Sequence, residues 1–370
     1  MSPMKVPFGD LARHFALYRG NIEPAIRRVL ERGWFVLGEE GKEFEKEWAA
    51  FVGTDYAVGC GSGTEAIHLA LWAHGIGPGD VVVTVPNTCV PTVAGISLTG
   101  AKVVLCDVDP ETALMDPECL KAILEKNKVH AIVPVHLYGT PADLSRLAGL
   151  AASYGAVLID DAAQAHDAVY RGRRIGAQGF TTCWSFYPSK NLGAFGDGGA
   201  VTTANPEIAE RLRMLRNYGQ EKRYYHKIPG TNSRLDEIQA AILRVKLNFL
   251  EQWTARRRAI ALRYRTEIRN PAIRFLVQRP GVESCCHLFA VRVKERAAFM
   301  KFMEERGVEC LIHYPVPIHL QEAYRSLGYK KGDFPCAEAL CEEVVSLPMF
   351  PELTDEEVDY VIACANAFAG

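Results

Sequence analysis

Between residue 55 and about residue 203, short apolar segments alternate with segments of helical periodicity, and this alternation constrains the fold more than any other feature. The apolar runs are continuous, which is typical of strands buried on both faces of a sheet. Sheets of this kind are mainly parallel, are covered by helices and bind ligands at the carboxyl ends of their strands. The pattern predicts an α/β domain with a seven-stranded, mainly parallel sheet, whose strands are YAVGC, VVVTV, KVVLCDV, AIVPVHL, AVLID, TTCWSF and AVTT.

The segments on either side of this region have helical patterns. The pattern of residues 10–52 predicts two helices with a turn at Gly33. The apolar residues 34–37 are expected to pack together as a small hydrophobic cluster. We interpret this segment as a packing arm. Residues 206–265 are rich in charge and also predict helix, with a long connecting helix near 236–268.

The last hundred residues predict a second, smaller domain. Between 271 and 370, CCHLFAVRV and VECLIHY have the pattern of strands, and helices are predicted at 295–306 and 354–368. We therefore expect an N-terminal arm and a large domain over residues 1–250, followed by a small α+β domain over residues 251–370.

Charge and hydropathy exclude several classes of partner. The 370 residues include 42 Lys and Arg against 44 Asp and Glu, for a formal net charge of −2. Such a near-neutral chain has no overall field that would attract nucleic acid or an anionic membrane. No run approaches the roughly 18 apolar residues of a membrane span. Any anionic ligand must therefore be bound by local groups.

Cysteine usage predicts a reducing compartment. The eleven cysteines are scattered along the chain and odd in number, and the segment MSPMKVPFGDLARH lacks the apolar run of a signal peptide. We expect reduced thiols and a cytoplasmic location. No C-x2-C pair recurs, so no metal site is predicted.

A glycine-rich turn, GCGSGTEAIH at residues 59–68, leads from the first predicted strand into a helical pattern. Free N–H groups of the first helical turn, with the hydroxyl of Ser62 or Thr64, can bind an anion there. A capped turn without a ligand is one alternative. The glycine loop of a dinucleotide or methyl-donor site is another, but Thr64 replaces its last glycine, and the next strand ends in Pro86 and Asn87 instead of a carboxylate.

Two further strand ends carry reactive side chains. One predicted strand continues into Asp160 and Asp161, which face opposite sides, so one carboxylate can enter a ligand crevice while the other caps the next segment. Structural capping alone is the alternative. Lys190 follows another strand and precedes a glycine-dense turn, where desolvation would lower the pKa of its amine and make it nucleophilic. The alternative for Lys190 is a solvated surface lysine.

An anion cradle, a carboxylate and an amine at strand ends of one sheet are what pyridoxal 5'-phosphate (PLP) requires. They bind its phosphate, its ring nitrogen and its aldehyde, respectively. Longer segments make the pattern more specific, namely SGTEAIHLAL, PVHLYGTPADL, DDAAQAHDA, SFYPSKNLGAFGDGGA, YGQEKRYYHKIPGTNSRLDEIQAAIL and HYPVPIHLQ. With them, the chain closely resembles the DegT/StrS-type sugar-nucleotide aminotransferases, from its GWFVLG segment to SLPMFPELTDEEVDYV.

The resemblance implies an aspartate-aminotransferase-like architecture of PLP fold type I, and a homodimer whose active sites are shared between subunits. It implies L-glutamate as the amino donor, and Lys190 as the residue that binds the cofactor covalently and then moves the proton. The other cofactor-binding residues that it implies are Asp161 at the ring nitrogen, Gln164 near the phenolic oxygen, Gly63, Thr64 and Ser185 at the phosphate, and Asn232 reaching the phosphate from the other subunit.

One position departs from the family pattern. Family members commonly have an aromatic residue that stacks on the cofactor ring where this chain has Cys89, in the segment NTCVP. A thiol covers less of the ring, so cofactor affinity would depend on the phosphate contacts and on Lys190. Asp160 replaces the more frequent glutamate and keeps the acidic character.

The resemblance also implies a nucleotide-linked ketosugar as amino acceptor. The form NSRLDEIQAA is similar to that of members acting on 3-oxo sugars, so we expect a substrate such as a dTDP-3-oxo-6-deoxyhexose. A 4-oxo sugar and a UDP-linked 3-oxo sugar are the alternatives. Residues 204–230 hold six basic and three acidic residues, and this stretch either binds the diphosphate or is a solvated helix face. The expected substrate-binding residues are Tyr187, Arg223, His313, Tyr314 and His319.

Two rival functions share the fold. A sugar dehydratase would resemble this chain but would have a histidine in place of Lys190, so Lys190 argues against it. A non-catalytic PLP-binding regulator is the other rival, and the intact set of cofactor-binding residues argues against that function.

Overall fold

The structure, a computed structural model, describes residues 4–369. Its helices are α1 (Leu11–Arg32), α2 (Glu39–Val52), α3 (Gly63–Ala73), α4 (Val90–Ser97), α5 (Pro117–Leu124), α6 (Leu144–Tyr154), α7 (Pro206–Leu215), α8 (Glu237–Leu247), α9 (Leu250–Glu267), α10 (Arg296–Glu304), α11 (Pro335–Glu343) and α12 (Asp355–Ala367). Its strands are β1 (Tyr56–Cys60), β2 (Val81–Thr84), β3 (Lys102–Leu105), β4 (Ala131–Ile132), β5 (Val157–Asp161), β6 (Val169–Tyr170), β7 (Arg173–Arg174), β8 (Thr181–Ser185), β9 (Gly199–Thr203), β10 (Gln220–Lys222), β11 (Tyr225–His226), β12 (Ile273–Phe275), β13 (Val282–Glu283), β14 (Phe289–Val293) and β15 (Val344–Leu347).

The central sheet has seven strands in the order β1-β9-β8-β5-β4-β2-β3. Four neighbouring pairs are parallel, and β9 runs against the rest, pairing antiparallel with β1 and β8. The prediction of a mainly parallel sheet is confirmed, and each of the seven apolar segments contributes one strand. Strand β4 is shorter than its segment, because the chain pairs only over Ala131–Ile132 and touches the sheet again through a bridge from Val135 to Asp161.

This topology collects several loops at one edge of the sheet. Strands β1, β2, β5 and β8 all run in the same direction, so their carboxyl ends lie together. The glycine-rich turn follows β1, the segment with Cys89 follows β2, and β5 and β8 end at Asp161 and Ser185. The predicted functional residues are therefore brought together by strand direction alone.

The buried apolar side chains form one large cluster around the central sheet and a second cluster drawn mainly from residues 260–368. Beneath the sheet, Trp48 packs edge-on against Trp184, with ring centroids 4.9 Å apart. Burial of a large apolar side chain contributes roughly 1.5–3 kcal/mol. Val6 belongs to the second cluster and pairs with Val308, so the chain's N-terminal segment packs on its C-terminal region.

The arm is attached through a buried carboxylate. Glu237, at the start of α8, accepts hydrogen bonds of 2.9 Å each from the backbone N–H groups of Gly38, Glu40 and Gly41, at the start of α2. A Cβ atom at Gly38 would lie 2.5 Å from Glu237 Oε2, so this close approach requires glycine. The hydrophobic cluster expected at residues 34–37 does not form within the chain, because the side chains there are largely exposed.

Residues 206–265 are not continuously helical, and that prediction is wrong. Helix α7 ends at Leu215, and the chain then forms the hairpin β10–β11. The connecting helix predicted near 236–268 is two helices, α8 and α9, which are separated at residues 248–249. Alternating charges are typical of solvated hairpins as well as of helix surfaces, so composition did not distinguish them.

The C-terminal region has a sheet in the order β12-β14-β15, and α10 and α12 confirm the two predicted helices. The prediction of a strand at VECLIHY is wrong, because this segment makes only isolated bridges at Val308 and Leu311. Prolines 315 and 317 follow it and lack the N–H that a ladder needs. Of the helices in residues 4–369, none is long and apolar enough to span a bilayer.

Candidate active site

A cavity of about 680 Å³ lies at the carboxyl edge of the central sheet. It contains most of the residues predicted from the sequence. Those that line it are Gly63, Thr64, Cys89, Asp161, Gln164, Ser185, Tyr187, Lys190, His313 and Tyr314.

The first turn of α3 forms an anion cradle. The hydroxyl of Ser62 caps the helix by accepting a hydrogen bond from the N–H of Glu65 at 3.2 Å. The N–H groups of Gly63 and Thr64 have no acceptor within residues 4–369. A Cβ at Gly63 would lie 2.6 Å from Ser185 Cβ, so glycine lets the helix end approach that serine closely. Free N–H groups at a helix N-terminus beside a serine hydroxyl fit a phosphate.

Asp161 is buried at the end of β5 and is held by two hydrogen bonds. Thr92 donates to its Oδ2 at 2.7 Å, and the N–H of Ala163 donates to its Oδ1 at 3.1 Å. Burial raises the pKa of Asp161, while both hydrogen bonds and the charge of Lys190 oppose that rise. A cationic group bound beside Asp161, such as a protonated ring nitrogen, would favour the ionised carboxylate.

Thr92 was not among the residues predicted from the sequence, although the spacing of two threonines could have pointed to it. Thr88 lies just before α4 and Thr92 lies in its first turn, and their hydroxyl oxygens are 2.8 Å apart. The two threonines connect the loop after β2 to Asp161. Their spacing of four residues in NTCVPT would have suggested a shared helix face.

Asp160 lies on the other face of the sheet, and the expected cap is absent. Neither of its carboxylate oxygens has a hydrogen-bond partner in the described part of the chain, and Oδ2 lies 3.8 Å from His136 Nε2. The expected division of roles is wrong, because Asp161 both lines the cavity and receives the N–H of Ala163 from the following segment.

Lys190 is half-buried in the cavity wall and has no ion-pair partner among residues 4–369. The surrounding protein keeps its amine out of bulk water, and this desolvation lowers the pKa of Lys190, against the opposing charge of Asp161. A lowered pKa increases the unprotonated fraction of the amine, which is the form that acts as a nucleophile and as a proton acceptor. The alternative of a solvated surface lysine is therefore excluded.

A hydrogen-bonded group of side chains forms another wall. Gln164 accepts from the N–H of Tyr138 at 2.6 Å and donates to the hydroxyl of Tyr314 at 3.1 Å. His313 packs against Phe8, with ring centroids 5.4 Å apart, and burial lowers the pKa of His313 to about 4. At neutral pH this imidazole is uncharged and can exchange hydrogen bonds with a polar ligand.

Three predicted residues do not line the cavity of their own chain. His319 is buried, with Nε2 2.9 Å from Glu338 Oε1, and it packs against Phe334. A substrate role for His319 is therefore not supported, since its side chain supports the loop before α11. Arg223 is exposed at the tip of the β10–β11 hairpin, and Asn232 is exposed in the following loop.

Several residues that line the cavity carry no motif in the sequence. They come from α1, from α8 and α9, and from the C-terminal region, and include His14, Lys246, Trp253, Arg257, His287 and Glu352. Lys246 donates a hydrogen bond to the carbonyl of Gly193, and burial lowers the pKa of Lys246 to about 8. The cavity thus has a second lysine with a lowered pKa.

Comparisons with known proteins identify the family of this chain. The model of the DegT/DnrJ/EryC1/StrS aminotransferase family matches residues 18–366. A dTDP-3-amino-3,4,6-trideoxy-alpha-D-glucose transaminase of Streptomyces venezuelae is 45% identical, over 99% of this chain and 96% of that protein. The erythromycin biosynthesis sensory transduction protein EryC1 of Saccharopolyspora erythraea is also 45% identical, over 99% of this chain and 100% of that protein.

Solved structures show the same fold. DesV of S. venezuelae, in complex with a ketimine intermediate, has a TM-score of 0.96 and 44% identity, with 98% of each chain covered. NtdA of Bacillus subtilis, with bound cofactor PMP, has a TM-score of 0.90 and 28% identity, covering 98% of this chain and 84% of that one. The cofactor is PLP, and the anion cradle, Asp161 and Lys190 fit its three functional groups. The chain belongs to the DegT/DnrJ/EryC1/StrS aminotransferase family.

Proposed function

We propose that this protein transfers an amino group from L-glutamate to a nucleotide-linked 3-oxo sugar, such as a dTDP-3-oxo-6-deoxyhexose. The observation that carries the proposal is that an unpaired, desolvated Lys190 shares one cavity with Asp161 and with the free N–H groups of Gly63 and Thr64. The name of the S. venezuelae relative supports amination at the 3 position.

Each of these residues has a separate task. Bound PLP supplies the carbonyl that takes up the amino group and the ring that delocalises carbanion charge. Gly63, Thr64 and Ser185 would hold its phosphate, and Asp161 would keep its ring nitrogen protonated. Lys190, as a free amine with a lowered pKa, accepts the Cα proton of the donor and returns a proton to the sugar carbon.

The sugar would contact the wall formed by Tyr187, His313 and Tyr314. Tyr187 is exposed, while the hydroxyl of Tyr314 is held by Gln164. These groups exchange hydrogen bonds without adding charge, because burial lowers the pKa of His313 and raises that of Tyr314. They suit sugar hydroxyl groups better than a diphosphate.

A homodimer with shared active sites is part of the proposal. Trp34, Phe35 and Val36 are 61%, 47% and 37% exposed, and such a consecutive apolar run is typical of a protein interface. Val36 is bridged to Asp236, only four residues after Asn232. A partner docked on this run would therefore lie close to Asn232, as the role expected for Asn232 requires.

The same dimer would bring the β10–β11 hairpin near the partner's substrate. Arg223 lies at the hairpin tip, and the segment is closed by a bridge between Asn217 and Asn232. Because Arg223 and Asn232 lie on one closed segment, both can reach the same partner. Arg223 would then pair with the nucleotide diphosphate.

A cytoplasmic location also belongs to the proposal. All eleven cysteines are free thiols, which is the state that a reducing compartment maintains. A nucleotide sugar and L-glutamate would then be the partners available to the enzyme.

The position of the amino group in the product distinguishes the candidate sugar substrates. The purified protein is incubated with L-glutamate and a dTDP-3-oxo-6-deoxyhexose, with dTDP-4-oxo and UDP-3-oxo sugars in parallel, and the amine is located by NMR. We expect a C3 amine from the dTDP-3-oxo sugar, no product from Lys190→Ala, and normal turnover from the exposed control Lys330→Ala. A C4 amine, or a preference for the UDP sugar, would overturn the substrate assignment, and no turnover of any sugar would indicate a regulator.

A further inference from the structure

Lys246 lies in the last turn of α8, lines the cavity and has no task in the function proposed above. It is 3% exposed. Its ammonium group donates to the carbonyl oxygen of Gly193 at 2.5 Å and forms no salt bridge within residues 4–369. A buried charge without a carboxylate partner is costly, so its remaining polar contacts matter more. The hydrogen bond to Gly193 is therefore the main polar contact of this ammonium group in the described chain.

Gly193 closes the turn that carries Lys190. The N–H of Lys190 donates to the carbonyl of Tyr187 at 2.8 Å, which forms the first half of the turn. A Cβ atom at Gly193 would lie 2.3 Å from the carbonyl oxygen of Pro188, so Gly193 packs directly on the peptide units that precede Lys190. The backbone over residues 187–193 is therefore closed on itself, and a displacement of Gly193 also displaces Lys190.

Neutral hydrogen bonds also hold the segment that follows Lys190. Asn191 Nδ2 donates to the carbonyl of Cys285 at 3.0 Å, and Gln239 Oε1 accepts from the N–H of Phe195 at 2.8 Å. A hydrogen bond from a charged donor is roughly twice as strong as a neutral one. Loss of the charged contact at Gly193 would therefore loosen this segment more than loss of either neutral contact.

Two aromatic rings restrict the position of the Lys246 ammonium group. Nζ lies 5.4 Å from the ring centroid of Phe195 and 5.9 Å from that of Trp253. A cation over an aromatic face is attracted by the quadrupole of the ring. Trp253 is fixed in turn, because its Nε1–H donates to the hydroxyl of Tyr18 at 2.6 Å. The ammonium group is thus held between α9 and the segment that it contacts.

A role in binding an anionic ligand fits Lys246 less well. Glu352 lines the same cavity, and its charge raises the pKa of Lys246 against the larger effect of burial. Oε1 of Glu352 lies 2.6 Å from Nδ1 of His14, which keeps this carboxylate at the cavity wall. A carboxylate or phosphate brought to Lys246 would meet the like charge of Glu352, which opposes binding. A backbone carbonyl carries no net charge and avoids this repulsion.

We propose that Lys246 is a positioning residue for Lys190, and that it acts by holding the carbonyl of Gly193. The inference rests on the proposed function, in which Lys190 moves the proton, and it adds a residue that determines where that amine lies. Proton transfer requires the two reacting atoms to lie within hydrogen-bonding reach, so displacement of the turn lowers the rate of transfer. A loosened turn spends less time with the amine in reach.

Three variants separate this role from a general loss of stability. Lys246→Met keeps an unbranched apolar stem and removes the donor, whereas Lys246→Arg keeps a cationic donor. Arg244→Met is the matched control, because it removes a cation from the same turn of α8, and the partners of that cation, Glu40 and Glu47, belong to α2. Thermal unfolding of each variant shows whether the fold is kept.

Hydrogen–deuterium exchange of the full-length protein without cofactor measures how firmly the turn is held. Peptides that cover residues 187–195 are followed by mass spectrometry, with peptides from β9 as an internal reference. We expect protected amides in the parent and exchange about tenfold faster in Lys246→Met, the equivalent of one buried charge-assisted hydrogen bond. Lys246→Arg and Arg244→Met should exchange like the parent. An unprotected turn in the parent, no acceleration in Lys246→Met or equal acceleration in Arg244→Met would overturn the proposal.

The kinetic parameters of the PLP-loaded enzyme distinguish positioning from binding of the donor. We expect kcat of Lys246→Met to fall about tenfold with the KM for L-glutamate nearly unchanged, and Lys246→Arg to recover most of the loss. A raised KM with an unchanged kcat would assign Lys246 to donor binding and overturn the proposal. The exchange measurement needs neither glutamate nor sugar, so absence of turnover in the parent would contradict only the proposed function.

Discussion

The two charged groups at the centre of the cavity, Lys190 and Asp161, are held in surroundings that oppose their charges. Burial lowers the pKa of Lys190 and raises that of Asp161. For Asp161, the hydrogen bond from Thr92 is the largest effect in the opposite direction. Thr92 is therefore the residue that most strongly favours the ionised form of this carboxylate.

Replacement of Thr92 tests this role. In Thr92→Val the pKa of Asp161 rises further, because the ionised form loses its donor. The acid limb of the kcat/KM pH profile should move to higher pH, and the rate at neutral pH should fall about tenfold, the equivalent of one lost charge-assisted hydrogen bond. Steady-state kinetics across pH measure both effects.

The matched control is Thr182→Val, which makes the same chemical change at a buried threonine on β8. The Thr182 hydroxyl has no hydrogen-bond partner among the described residues. The pH profile of kcat/KM for Thr182→Val should match that of the parent protein. An unshifted acid limb in Thr92→Val, or equal shifts in both variants, would show that Thr92 does not control Asp161.

Among the elements, one carboxylate connects α8 to the start of α2. Glu237 of α8 satisfies three N–H groups at the start of α2, at 2.9 Å each. A helix N-terminus leaves these groups without partners inside the helix. The contact therefore determines where α2 begins and how it lies against α8.

Glu237→Gln keeps the size of the side chain and replaces one acceptor oxygen with a donor that faces an N–H group. We expect the free energy of unfolding to fall by about 2 kcal/mol, the usual effect of leaving a buried polar group unpaired. Urea denaturation measures this fall in the free energy of unfolding. Glu43→Gln, at a half-buried α2 side chain whose carboxylate pairs with the exposed Lys46, should leave the midpoint nearly unchanged. Equal losses in both variants would contradict the capping role.

The elements that the sequence predicts well are those with a strong local pattern. The seven strands have continuous apolar runs because both faces of the sheet are covered. The β10–β11 hairpin and the loop that contains Cys310 are held by isolated bridges and short ladders. Contacts of that kind leave no periodic pattern in the sequence, so helix and strand were predicted there incorrectly.

At the scale of the whole molecule, the cavity is assembled from distant parts of the chain. The N-terminal segment contributes Phe8 and His14, the central sheet contributes Asp161, and the C-terminal region contributes His313 and Glu352. His14 Nδ1 lies 2.6 Å from Glu352 Oε1, which connects the two ends of the chain across the cavity wall. The site therefore depends on how the chain's two buried clusters pack together.

The residues of the site that the sequence predicted lie in contiguous motifs, as Gly63, Asp161 and Lys190 do. Motifs at strand ends can be interpreted because strand direction alone places them at one edge. His287 and Lys246 reach the cavity through the packing of α8 and of the segment before β14. Tertiary packing of that kind has no short sequence signature, so these residues could not be predicted.

The proposed dimer predicts an effect on both assembly and cofactor. Trp34→Asp places a charge in the exposed apolar run and should convert the dimer to a monomer, as measured by sedimentation velocity. Cofactor should be lost in parallel, since Asn232 of each subunit would serve the other. Leu262→Asp, at an exposed leucine on α9, should remain dimeric. A monomeric parent protein that retains its cofactor would contradict the shared site.

Covalent trapping of the cofactor shows which lysine binds it. Two lysines with lowered pKa line the cavity, Lys190 and Lys246, and only one can be the attachment site. The protein loaded with PLP is reduced with borohydride, digested and mapped by mass spectrometry. We expect the cofactor mass on the peptide that contains Lys190 and no label in Lys190→Ala. Label on Lys246, or no label in the parent protein, would contradict it.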